Sequence, residues 1–152
     1  MDKLIISDIS CLIALSNVGF LHILKDVYEE VIITSEVKNE FGGNLPDWII
    51  EINVNDKERQ VEIEKRLDRG EASSIALALE IKHAILIIDE LKGRKIAKSF
   101  NLEIIGTIGV LLIANKKGLL NDVLSVILKL VNNGFRLSDK MLDKLIEIYG
   151  SK

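Results

Sequence analysis

The chain has 152 residues, 20 basic and 23 acidic side chains for a formal net charge of −3, and 48% hydrophobic residues. That length and balance fit one globular domain, 1–152, and exclude both a disordered chain and one drawn to polyanions by its overall field. Aromatic residues are 5% and Cys11 is the one cysteine. No row of rings therefore awaits unpaired bases, no internal disulfide forms, and a reducing, cytoplasmic setting is expected. No apolar run approaches the roughly 18 residues of a membrane span, so a membrane is not an expected partner.

Residues 4–7 predict a short buried strand, after which Ser10 is placed to cap a helix through Leu12, Ile13 and Leu15 that ends near Gly19. Cys11 lies in that apolar helix and reads as a small buried hydrophobe. Residues 20–28 set Leu21, Leu24 and Val27 on one helical face. Val31-Ile32-Ile33 predicts a second strand, and Thr34 or Ser35 caps a short helix carrying Glu36 and Glu40. A loop over 42–48 leads to a minor strand at 51–55 and a charged helix at 56–67. Arg69-Gly70 reads as a break before the helix GEASSIALALEIK, which is apolar on nearly every side and so belongs against a sheet.

Residues 84–88 give the clearest strand, five apolar residues between polar ones. A helix over 92–100, a strand at Glu103-Ile104-Ile105 and a helix opened by Gly106-Thr107 follow. Two amphipathic helices, 122–131 and 138–149, complete the chain and either cover its core or face a second copy. Buried strands alternating with helices predict an α/β fold with a central parallel sheet of about four to five strands and helices on both faces.

Four acids interrupt this apolar pattern. Asp8 and Asp89 stand just past two of the strands, on the rim where parallel sheets bind ligands. Glu40 lies on the short helix after the second strand, and Glu71 opens the apolar one. An ionised carboxylate in such a place must be compensated, and one divalent cation compensates several at once. Hard Mg²⁺ or Mn²⁺ ions prefer carboxylate oxygens and can activate water while neutralising a phosphate, which points to hydrolysis of phosphate esters. His22 and His83 have no cysteine pattern to make a zinc site.

Each acid also has an ordinary reading. Asp8 can be a helix cap, although Ser10 fills that role nearby. Glu36, one turn before Glu40, suits the positive end of its helix, as does Glu71 in its own. Glu90 competes with Asp89, and Thr107 is most simply an N-cap that can also meet substrate. The densest cationic cluster, Lys92, Arg94, Lys95 and Lys98, is either a solvated helix face or, through Lys92, Arg94 and Lys95, a set of backbone-phosphate contacts.

The segments IISDIS, VIITSEVKNEF, GEASSIALALE, LIIDELKGRKIA and IIGTIGVLLIANKKG occur in an order that resembles the PIN-domain nucleases. The last three look like a branch of PIN-like proteins of unassigned function related to VapC-type toxins. The resemblance implies a three-layer α/β/α Rossmann-like fold and a Mg²⁺- or Mn²⁺-dependent endoribonuclease site. By position it makes Asp8 the first acid, with Ser10 as a substrate contact, Glu40 the second, Glu71 the third, and Asp89 or Glu90 the fourth. Much of the wider family carries its third acid where this chain has Ser73 and Ser74. It also implies RNA as substrate, a homodimer, and a small antitoxin as partner.

Two other classes stay open. One is a catalytically inactive PIN-like module that binds RNA or protein, for which the Ser73-Ser74 departure speaks. The other is a phosphoacceptor receiver domain, against which counts the absence of a second acid beside Asp8.

Overall fold

The computed structural model describes residues 3–150. The elements run β1 (Leu4–Ser7), α1 (Ile9–Asn17), α2 (His22–Tyr28), β2 (Val31–Ile33), α3 (Ser35–Phe41), β3 (Ile49–Glu51) and α4 (Lys57–Glu64). They continue α5 (Arg69–Glu80), β4 (Ala84–Ile87), α6 (Leu91–Ser99), β5 (Glu103–Ile105), α7 (Thr107–Lys116), α8 (Val123–Asn132) and α9 (Asp139–Tyr149). The five strands form one parallel sheet in the order β3-β2-β1-β4-β5.

Strand periodicity divides the core in two. Alternate side chains of a strand point to opposite faces, and here Ile5, Val31, Ile33 and Ile87 join one buried cluster while Ile6, Ile32, Leu86 and Ile88 join the other. The first cluster is closed by apolar residues of α1, α2, α7 and α8 and by Leu145 of α9. The second is closed by α5, by Ile63 of α4, and by Ile96 and Ala97 of α6. Both C-terminal helices thus cover this chain's own core, and α9 still leaves Met141, Ile146 and Ile148 exposed. Among the described residues, no single helix is long and apolar enough to cross a membrane.

The third strand lies at Ile49–Glu51, earlier than the 51–55 that its alternating sequence suggested. Pairing decides the matter: Ile49 and Ile50 stand opposite Val31 and Ile32, which extends the apolar sheet by one strand. Arg69-Gly70 is likewise no break. Asp68 caps α5 by accepting the Glu71 N–H at 2.9 Å, and the helix already runs at Arg69.

Ser73 and Ser74 lie wholly inside the molecule. Both hydroxyls donate to the Gly70 carbonyl, at 2.8 and 3.0 Å, and Ser73 also shares a 2.7 Å bond with Thr34. Small residues whose hydroxyls bond back to their own helix let α5 lie close against the sheet and against α3. Thr34 in turn caps α3 by accepting the Val37 N–H at 3.2 Å. Replacing this buried threonine with valine removes the cap and one of the two hydrogen bonds of Ser73, so Thr34→Val should destabilise the fold by about 1–3 kcal/mol. Urea unfolding measures this, and a midpoint equal to wild type would mean the two bonds contribute nothing.

Candidate active site

In the sheet order, the chain leaves β1 toward β2 on one side and returns as β4 on the other. The C-terminal edge between β1 and β4 is the switch point where open parallel sheets bind ligands. Ser7 stands opposite Ile87 in the register, and the Asp8 N–H donates to the Ile87 carbonyl at 3.0 Å. Asp8 and Asp89 therefore leave neighbouring strands at the same end. Both line a cleft of roughly 1100 Å³, together with Ser10, Asp68, Glu71 and Glu90.

Asp8 occupies the N-cap position of α1, yet its side chain makes no capping bond. It is 2% exposed, and among the described residues its Oδ1 has no partner. Burial pushes its carboxyl from 3.8 to about 7; the Ile9 backbone N–H opposes this, while Asp68, Glu40 and Asp89 add to it. Ser10 is not the cap. It lies inside the first turn of α1, with its Oγ buried and unpartnered beside the cleft.

Glu71 is 4% exposed, and its Oε2 is also without a partner among the described residues. Burial pushes it from 4.5 to about 8, followed by the charges of Asp8, Asp68 and Glu90 and a hydrogen bond with the Asp68 carboxyl. Space for Glu71 exists because residue 93 is glycine: a Cβ there would stand 2.7 Å from Glu71 Oε2 and from Ile88 Cδ1.

Asp89 is held differently. Thr107 donates to it twice, from its backbone N–H at 2.7 Å and its hydroxyl at 2.6 Å. The N-cap position of α7 belongs to Gly106, which has no side chain, so Asp89 does the capping from across the sheet edge. A Cβ on Gly106 would come within 2.9 Å of Asp89 Oδ1 and 3.0 Å of Arg94 Nη1. Thr107 is therefore neither the cap nor a cleft residue; it is buried and orients Asp89.

Glu40 is exposed on α3 and reaches the first turn of α5, where a Cβ on Gly70 would stand 2.6 Å from its Oε1 and 3.7 Å from Asp68 Oδ1. Burial and Asp68 raise its carboxyl above the usual range. Glu36 points elsewhere. Burial raises its carboxyl, but bonds from Gln60, its own N–H and Ser35, with Lys57 nearby, bring it below the usual value. It ties α3 to α4.

Lys92 and Lys95 are one turn apart on α6 and line the cleft together. Arg94 is turned away: its Nη1 donates to the Ile88 carbonyl at 2.8 Å, which secures the loop that carries Asp89. Sequence reasoning missed Asp68 and Arg136, both on the cleft wall. Asp68 was legible as a cap, an acid three residues before Glu71 at a helix start; taking Arg69-Gly70 for a break hid it. Arg136 follows α8 and has no local signal. Cys11 is fully buried and its thiol is pushed up to about 12, so it is inert.

Two buried carboxylate oxygens without partners, in a wall of hard oxygen donors, have the chemistry a divalent cation needs. Asp8, Asp68, Glu71, Asp89 and Glu90 face one cleft, which Glu40 does not line, and the acids do not close on one point: among the described residues, no three of them are grouped to hold a single ion.

Both raised carboxyls make the metal-free protein pH-sensitive. Their folded values, about 7 and about 8, exceed the ordinary 3.8 and 4.5, so the folded state binds more protons than the unfolded. This contribution is complete below about pH 4 and is lost as pH rises through about 8. In chelator, the wild-type melting temperature should fall between about pH 4 and about pH 8, and Asp8→Asn, which has no proton to lose, should fall less and be the more stable of the two at the alkaline end. Superimposable melting curves for the two proteins across that range would refute the assignment of an uncompensated charge to Asp8.

No curated protein and no solved structure matches the chain. A family model described as a PIN domain does, over residues 4–151. That span contains every acid, hydroxyl and cation described above. PIN domains are generally nucleases that use divalent metals, and a carboxylate cleft at the switch point of a parallel sheet suits that chemistry. The chain belongs to the PIN-domain family.

Proposed function

We propose that the protein is a metal-dependent endoribonuclease whose acids are Asp8, Glu40, Glu71 and Asp89, with Asp68 and Glu90 beside them. The observation that carries this is the pair of buried, unpartnered oxygens, Asp8 Oδ1 and Glu71 Oε2, facing one cleft. Asp8, Glu71 and Asp89 would hold Mg²⁺ or Mn²⁺, with Glu40 or Asp68 completing the set. The ion, when bound, supplies an activated water and neutralises charge on the scissile phosphate.

The chain's own side chains do the rest. Lys92, Lys95 and Arg136 neutralise the phosphates of the RNA backbone without reading its bases. The Ser10 hydroxyl, unpartnered at the cleft wall, donates to a phosphate oxygen. Thr107 and Arg94 fix the loop of Asp89, so that its carboxylate meets the cleft in one orientation. Asp8 and Glu71 give up their protons on binding metal, which makes affinity rise with pH through about 7 to 8.

The resemblance to VapC-type toxins extends the proposal to a cytoplasmic toxin that acts as a homodimer and is silenced by a small antitoxin. A second reading, an inactive module that binds RNA or protein, draws on the acids not being grouped about one point. Calorimetric titration with Mn²⁺ separates the two, since the silent module takes up no metal at millimolar concentration.

Asp8→Asn and Glu71→Gln should each lower RNA cleavage by more than about 100-fold, and Thr107→Val, which removes the hydroxyl bond to Asp89 and keeps the backbone one, by about 10-fold. Cleavage of labelled RNA in Mg²⁺ or Mn²⁺ measures all three. Wild-type rates in Asp8→Asn would end this mechanism. Mn²⁺ should also raise the melting temperature of wild type and leave that of Asp8→Asn unchanged.

A further inference from the structure

The cleft does not end at the carboxylates. It runs on over Ile13, Ala14, Leu130 and Phe135, with the amides of Asn17 and Asn133 at its edge. Carbon walls of this kind do nothing for a metal ion or a phosphate. Nor does an ion need the volume: roughly 1100 Å³ is at the upper end of clefts that enclose whole organic ligands.

Phe135 is the informative member. The chain has four Phe, two Tyr and one Trp, and among the described residues Phe135 alone of these lines the cleft. The backbone sets it there. Gly134 takes φ +97, a conformation costly for any residue with a Cβ, and donates to the Val131 carbonyl at 3.1 Å. Phe135 then donates to the Leu130 carbonyl at 2.9 Å, the double bond of a Schellman turn closing α8. Its ring packs partly on the apolar core behind it and is left partly exposed. Arg136, the next residue, lines the same cleft as Lys92 and Lys95.

We propose that this annex is a nucleobase pocket, in which Phe135 is the stacking platform for one unpaired base of single-stranded RNA next to the phosphate that would meet the ion at the carboxylates. The pocket presupposes the ribonuclease reading and narrows its substrate: a base paired inside a duplex is not free to enter. Rings stack on any base through its π face, so the pocket selects strandedness ahead of sequence. Arg136 meets the phosphate adjoining that base, and the Asn17 amide and the Asn133 side-chain oxygen offer polar contacts to its edge, the Asn133 Nδ2 already donating to the Lys129 carbonyl at 2.8 Å. Ring, cation and amides come from α1 and from the turn after α8, outside the four-acid set.

The test is fluorescence anisotropy with a labelled single-stranded oligoadenylate and its abasic counterpart, in chelator so that nothing is cut. Phe135→Leu preserves an apolar side chain behind the turn and removes the ring; Phe135→Trp restores a ring. The leucine variant should bind oligoadenylate about tenfold more weakly than wild type, bind the abasic strand equally well, and be rescued by tryptophan. Loss on both strands alike, or wild-type affinity in Phe135→Leu, would overturn the pocket and leave the annex to a protein side chain. Failure of the two ideas is distinguishable: base-dependent binding through Phe135 without cleavage in Mg²⁺ or Mn²⁺ removes the nuclease and keeps the pocket, while cleavage and binding both indifferent to Phe135 does the reverse.

Discussion

Two carboxylates buried without an opposing charge dominate this structure. Asp8 and Glu71 stand at the C-terminal edge of the sheet, each with an oxygen that no donor meets. An acid in that position costs free energy whether it holds its charge or its proton, and among the described residues no neighbouring lysine or arginine relieves it. Lys92, Lys95 and Arg136 line the same cleft, yet they form no ion pair with these acids among the described residues. The fold thus keeps its acids and its cations in one cleft without letting them cancel, which leaves both available to other partners.

Much of the surrounding structure serves that arrangement. Gly93 and Gly106 leave room where a methyl group would strike Glu71 or Asp89, and Gly70 does the same for Glu40. Asp89 is fixed by two bonds from Thr107, while Arg94 spends its guanidinium on the Ile88 carbonyl. Ser73 and Ser74 satisfy themselves on Gly70 and Thr34 and let α5 lie flat, with Glu71 one turn earlier aimed at the cleft. The serines that depart from the wider family's pattern are therefore packing residues here.

Much of the candidate site was legible in local terms. An acid after a run of four or five apolar residues reads directly as one at a strand end, and Asp8 and Asp89 were found that way. Where two local signals competed, sequence chose less well. Asp8 and Ser10 are both capping residues by type, but the helix starts at Ile9 and Asp8 takes the cap position without using it. Lys92, Arg94 and Lys95 form one cluster in sequence, yet helical geometry sends Arg94 to a different neighbour. Asp68 was masked because Arg69-Gly70 resembles a linker until Gly70 is seen to make room for Glu40.

The sequence by itself determined the class of fold and four of the five strands, and marked Asp8, Glu71 and Asp89 as acids at element ends, because strand burial and helix capping depend on residues within a turn or two of one another. Tertiary structure alone decided that five strands order themselves with β1 and β4 side by side, since that pairing joins residues some eighty positions apart. It alone brought Phe135 and Arg136 to the acid cleft and left two oxygens without partners. Those outcomes depend on which distant groups exclude water together, and no pattern within a short window of sequence carries that information.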